Sequence, residues 1–174
     1  DWNNPTTFDG IITLTSLADA DLVAGKVGKQ CYNFDGTNDY ASIPDNANQA
    51  GMSALTIEAV VWLDVLNASQ AIFTNVTNNY LSIIVTNVAI NTIIVTTSGT
   101  ETLGYTYTFP TGQWVYLVYT WDNLSPSKLY INGAFVQNGD DLGNGTVSDS
   151  AGGLRIGERA ATGDIPWDGK IDGV

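Results

Sequence analysis

Nowhere in the chain do ten consecutive residues sustain a 3.6-residue apolar repeat. The recurring pattern is instead short alternating or wholly apolar runs, separated by Gly, Asn, Asp and Ser. Leu55 to Leu63 is the clearest case: Leu55, Ile57, Ala59, Val61 and Leu63 fall on one face, and Thr56, Glu58, Val60 and Trp62 on the other. A period of two suits a pleated strand, so the expected class is all-β. Gln113 to Trp121 differs in being apolar on both faces, which predicts a strand buried on both sides in the middle of a sandwich.

The other runs follow in order. Gly10 to Thr15 reads as a sheet edge, and Asp19 to Lys29, with Gly25 and Gly28, as a crossing between sheets. Phe34 to Pro44 reads as a hairpin around Asp35-Gly36-Thr37-Asn38-Asp39, whose carboxylates suit turns by accepting backbone N–H groups. Ala71–Thr74, Tyr80–Thr86, Asn91–Thr97 and Leu103–Phe109 are rich in the residues a pleated surface prefers. In Tyr130-Ile131-Asn132-Gly133-Ala134-Phe135, Asn-Gly between apolar runs predicts a two-residue type I′ hairpin. Leu154–Gly157 and Trp167–Val174 complete the set.

A chain of 174 residues fits one domain, 1–174, and buries enough surface to fold without a metal or disulfide. Lys and Arg number 6 against 18 Asp and Glu, a net of -12 with no histidine. That balance repels phosphate backbones and anionic head groups, so nucleic acid and membrane surface are not expected partners. No apolar window is long enough to insert in a membrane. Without histidine there is no Ser-His-Asp chemistry, and Cys31, alone and within a strand, reads as a buried thiol.

Five motifs in order resemble the concanavalin A-like, laminin G-type jelly-roll family: Phe34 to Tyr40, Leu55 to Trp62, Trp114 with Tyr130 to Gly133, Leu154 to Gly157, and Gly169 to Asp172. The resemblance implies an antiparallel jelly-roll β-sandwich with rim loops that bind sugars, proteins or calcium. Members continue after the Ile-Asp pair into a further strand. The expectation here is a sandwich lacking its final strand, with an open edge suited to self-association.

By position, the family's calcium loops would fall on Asn78 and Asn79 and on Glu158, with Asp164 nearby; Asp140, Asp141 and Asn144 form a second oxygen-rich cluster. Sugar binding needs an exposed aromatic beside fixed polar groups. Trp62, Trp114 and Trp121 lie in strongly apolar strands and are expected in the core. Trp2, Tyr105, Tyr107 and Trp167 lie nearer loops, and Trp167 with Asp164 and Asp168 is the expected ligand site. A glycosidase needs two placed carboxylates, and Glu58, the one acid inside a clear strand, has no partner in sequence. Sequons at Asn67, Asn75, Asn123 and Asn144 suit a secreted or surface-displayed protein. The resulting expectation is an extracellular, non-catalytic carbohydrate-binding or adhesion module with a glycan partner. The alternatives are a structural subunit of a virion exterior or surface filament, and a glycoside hydrolase.

Overall fold

The computed structural model describes residues 13–45, 49–67, 69–75, 81–140, 144–149, 152–159 and 165–174. They form two antiparallel sheets of seven strands each. In chain order the strands are β1 (Thr13–Thr15), β2 (Leu22–Ala24), β3 (Gln30–Asp35), β4 (Tyr40–Ile43), β5 (Ala54–Leu63), β6 (Ser69–Asn75) and β7 (Leu81–Thr86). They continue with β8 (Ala89–Thr96), β9 (Gly99–Thr106), β10 (Trp114–Asp122), β11 (Ser125–Ile131), β12 (Ala134–Asn138), β13 (Leu154–Ile156) and β14 (Asp168–Ile171). A single 3-10 turn, Asp19–Asp21, lies fully within the described residues.

Sheet A runs β1-β4-β13-β6-β7-β8-β9, and sheet B runs β12-β11-β10-β5-β14-β3-β2. The inner face of sheet B presents Phe34, Ile57, Ala59, Val61, Leu63, Val115, Leu117, Tyr119, Trp121, Leu129 and Ile171. Sheet A answers with Ala41, Ile72, Phe73, Ile83, Val85, Ile90, Ile94, Leu103 and Ile156. Each fully buried aliphatic or phenyl side chain contributes about 1.5–3 kcal/mol, so this layer is the main source of stability.

Several expectations meet the structure directly. β1 is an edge strand, and the chain crosses from sheet A to sheet B between β1 and β2. Asn132 and Gly133 both have positive φ, 52° and 81°, as a type I′ turn requires, and Ile131 pairs with Ala134 across it.

Phe34 to Pro44 is not a hairpin. β3 belongs to sheet B and β4 to sheet A, so this segment is a corner that passes between the layers. Its acids hold the bend: Asp35 Oδ1 accepts from Thr37 N at 2.8 Å, and Asp39 Oδ2 accepts from Asp35 N at 2.9 Å. A turn that redirects the chain by this route looks, in sequence, the same as one that pairs its arms.

The last strand is not an edge either. β14 lies between β5 and β3, with Gly169 opposite both Leu63 and Phe34. The edges are β1 and β9 in sheet A and β12 and β2 in sheet B. Asp172 continues the pairing through its N–H to the Val60 carbonyl, and its carboxylate accepts from the Lys26 and Val27 amides. This carboxylate ties the end of β14 to the turn between β2 and β3. The Asn75 sequon is closed off, because its side chain is buried and donates to the Gly152 carbonyl at 2.9 Å.

Candidate functional site

β10 is central in sheet B, yet it is not buried on both sides. Its odd-numbered residues Val115 to Trp121 are buried, whereas Trp114, Tyr116, Val118 and Thr120 are partly exposed. Alternation places Trp62 and Val60 of β5 on that same outer face, and the register sets Trp62 opposite Trp114 and Val60 opposite Tyr116. Trp62 and Trp114 are therefore surface residues rather than core; of the three tryptophans expected inside, Trp121 alone is buried.

The two outer indoles meet edge to face, with ring centroids 5.8 Å apart and planes at 66°. Polar groups fix them. Trp62 Nε1 donates to Asp64 Oδ1 at 2.7 Å. Lys170, opposite Trp62 on β14, holds its Nζ 4.7 Å from the Trp62 ring centroid and 3.5 Å from Asp64 Oδ1. Below them Tyr116 OH donates to Glu58 Oε2 at 2.6 Å, a bond that holds the phenol pKa above its usual value. The aromatic surface continues to the sheet edge through Tyr130 and Phe135, which pack edge to face at 5.7 Å, with Phe135 54% exposed.

Asp168 belongs to this face. It lies opposite Asp35 on β3, and its backbone carbonyl accepts from Asp64 N at 2.9 Å. Its own N–H donates to the buried Gln70 Oε1 at 2.9 Å, which anchors the start of β14. Gly169 next to it has φ 143°, and a Cβ there would stand 2.1 Å from the Trp62 carbonyl oxygen. Only glycine lets β14 approach β5 closely enough to set Lys170 on Trp62.

Partial burial, then the charges of Asp64 and Asp35, raise the Asp168 pKa above the ordinary carboxylate range. A raised folded-state pKa means that Asp168 favours the folded state at acid pH and that this contribution is lost as pH rises through the raised value. Asp168→Asn is accordingly expected to melt higher than the parent at neutral pH, with the difference vanishing in acid. Equal melting temperatures at both pH values would refute the crowding of these carboxylates.

Trp167 is the main correction. It is fully buried, points between the sheets and packs edge to face on Phe109 at 6.0 Å, so it offers a sugar no surface. Trp167 shares the parity of inward-facing Ile171, while Asp168 and Lys170 share the outward one. Tyr105 and Tyr107 stack on each other at 6.0 Å and pack against the core. The third expected partner, Asp164, lies outside the described residues, as does Trp2.

The expected calcium ligands are not brought together among the described residues. Glu158 is buried, and its Oε2 takes Arg155 Nη1 at 2.6 Å; the Arg155 guanidinium in turn covers the Tyr40 ring at 3.9 Å on the outer face of sheet A. Asp140 is a latch between the sheets: its carboxylate accepts from Thr102 N at 3.1 Å and Thr102 Oγ1 at 2.9 Å, and its N–H donates to the Thr102 carbonyl at 3.2 Å. Asn78, Asn79 and Asp141 lie outside the described residues. No group of three or more His, Cys, Asp or Glu is placed to hold a metal ion among those described.

Residues 35–174 match the family model described as the concanavalin A-like lectin/glucanases superfamily, of laminin G type. No curated protein matches the sequence significantly. Among solved structures, the chain resembles the botulinum neurotoxin serotype G binding domain, at 13% identity and TM-score 0.69 over 97% of this chain and 44% of that one. It also resembles the ligand binding domain of botulinum neurotoxin serotype D in complex with N-acetylneuraminic acid, at 14% identity and TM-score 0.62 over 97% and 44%. A third is domain 4 of a GH43 extracellular arabinanase from Geobacillus stearothermophilus in complex with arabinotriose, at 19% identity and TM-score 0.61 over 94% and 79%. The chain thus spans less than half the length of the two neurotoxin chains. At these identities the likeness is one of fold.

Proposed function

Because the chain belongs to the concanavalin A-like lectin/glucanases superfamily, we propose that it is a non-catalytic carbohydrate-binding module, and that the outer face of sheet B is its ligand surface. The observation that carries this reading is the Trp62–Trp114 pair. Two partly exposed indoles are held at fixed geometry beside carboxylates and an ammonium. Sugar rings present an apolar C–H face and a rim of hydroxyls, and this surface supplies an aromatic contact for the first and acceptors at Asp64, Asp168 and Glu58 for the second. Two of the structural relatives were solved with sugars bound, arabinotriose in one and N-acetylneuraminic acid in the other. An extracellular setting, as for the arabinanase, accords with a chain of which only 14% of residues are charged. Among the described residues no helix is long and apolar enough to cross a membrane.

A glycan array tests the proposal. Binding to a defined glycan class, lost on Trp62→Ala, supports it; no binding anywhere on a broad array removes it. Release of reducing sugar from a bound glycan, abolished by Asp168→Asn, would assign hydrolysis instead.

This reading does not require calcium. Arg155 neutralises Glu158, and Thr102 engages the Asp140 carboxylate. The melting temperature is expected to be the same in millimolar calcium and in chelator. A calcium-dependent rise, by mass action, would establish a site built around Asn78, Asn79, Asp141 or Asp164.

A further inference from the structure

The register of sheet B aligns three carboxylates. Asp35 stands opposite Asp168, and Asp168 bonds through its backbone to Asp64, so the three form one row across β3, β14 and β5. Adjacent strands lie about 4.8 Å apart, which puts all three acids within about 10 Å. The next row on the same face is Asn33, Lys170, Trp62 and Trp114. The acids differ in how far they are engaged. Asp35 Oδ1 accepts from Thr37 N and Asn38 N, and Asp64 Oδ1 takes Trp62 Nε1 and Lys170 Nζ. Among the described residues no donor reaches the Asp168 carboxylate, which lies over Gly36 on the outer face, one row from Lys170 and Trp62.

Lys170 shows which chemistry the place accepts. Its ammonium lies over the Trp62 ring and against a carboxylate, the arrangement in which a cation gains from the ring quadrupole and from an opposite charge together. Asp168 offers a second carboxylate in the adjacent row of the same face, with no such cation on it.

Resting on the reading of this face as a sugar site, we propose that it selects amino sugars in their ammonium form. An oligosaccharide of 2-amino-2-deoxyhexose units would lay its rings on Trp62 and Trp114 and set an ammonium against Asp168 and Asp64. The same row repels uronates, sulfated sugars and sialic acids, and the net charge of -12 extends that repulsion beyond the site. A basic peptide would satisfy the acids too. The face favours a sugar because the acids border two partly exposed indoles, and a lysine side chain has only a methylene stem to set against them.

Titration calorimetry separates the cases, run above the carboxylate range at a pH where the sugar amines are charged. The ligands are a glucosamine tetramer, its fully N-acetylated counterpart, a galacturonate tetramer and tetralysine. The glucosamine tetramer is expected to bind about tenfold tighter than the acetylated one, the sum expected of one exposed ion pair and one cation–π contact. The preference should collapse in about 1 M salt, where the screening length is about 3 Å. Asp168→Asn should erase most of it, weakening the glucosamine tetramer far more than the acetylated one; a thermal melt of the variant checks that it is folded, and an unchanged tenfold preference overturns the role of Asp168. Equal affinity for the two tetramers overturns the selection for ammonium but leaves the sugar site standing. Failure of every tetramer to bind removes both. Tetralysine binding as tightly as the glucosamine tetramer, and competing with it, overturns the proposal in favour of a basic peptide.

Discussion

Trp62→Ala is expected to weaken glycan binding by about 30-fold or more, because truncating a central aromatic contact typically costs 2 kcal/mol or more. Trp114→Ala should act in the same direction, since it removes the ring against which Trp62 is set at 5.8 Å. Neither change should unfold the protein. Both side chains lie on the outer face of sheet B, so their loss gives up a lateral aromatic contact and strand propensity, about 1–2 kcal/mol together. That is small against the 5–15 kcal/mol typical of a folded domain. Calorimetry with the glycan identified on the array, together with a thermal melt of each variant, checks both halves. Wild-type affinity in Trp62→Ala would show that the ligand binds elsewhere.

Trp167→Ala is expected to do the reverse. Trp167 is fully buried between the layers, where its ring meets Phe109 and its backbone bridges Gly157 and Gly36. Emptying a site of this size typically costs 3–5 kcal/mol. For a chain of this length that corresponds to a fall in melting temperature of roughly 6–20 °C. Well below its melting point the variant should still bind glycan with near-parental affinity, because the indole touches no part of the outer face. A Trp167→Ala protein that melts like the parent but no longer binds would return the site to Trp167. The two tryptophan substitutions thus separate stability from recognition, and the burial of each ring decides which property it affects.

The parity of these residues was legible in the sequence. Val61 and Leu63 inward require Trp62 outward; Ile171 inward requires Lys170 and Asp168 outward and Trp167 inward. What could not be read was whether anything lies on the second face. An apolar second face, as in Trp114-Val115-Tyr116-Leu117-Val118, suits a strand covered on both sides and equally one whose outer side is a ligand surface. Weighing Trp62 and Trp114 by the hydrophobicity of their strands placed them in the core, and weighing Trp167 by its nearness to a loop placed it outside. Both assignments were overturned by the same cause: local hydrophobicity says that a side chain gains from burial, while the sheet decides which side chains receive it.

The candidate acids divide in the same way. Asp35 and Asp39 were readable as turn-holding residues, because an Asx/Gly turn needs acceptors within a few residues, and that geometry is local. The row Asp35–Asp168–Asp64 was not readable, since Asp168 is more than a hundred residues in sequence from both of the others and joins them only because β14 inserts between β3 and β5. The partners of Glu158 and Asp140 divide likewise. Arg155 is three residues from Glu158 and visible from sequence, whereas Thr102 reaches Asp140 only across the seam between the sheets.

By itself, then, the sequence determined the all-β class, most of the strands, the Asn132-Gly133 turn and the family, because period-two alternation and turn chemistry are properties of a few adjacent residues. The tertiary structure decided that Phe34 to Pro44 turns a corner, that β14 is interior, and that the exposed aromatic pair is Trp62 and Trp114. Each of these depends on which strand becomes whose neighbour, and that choice is made by burying whole faces against one another.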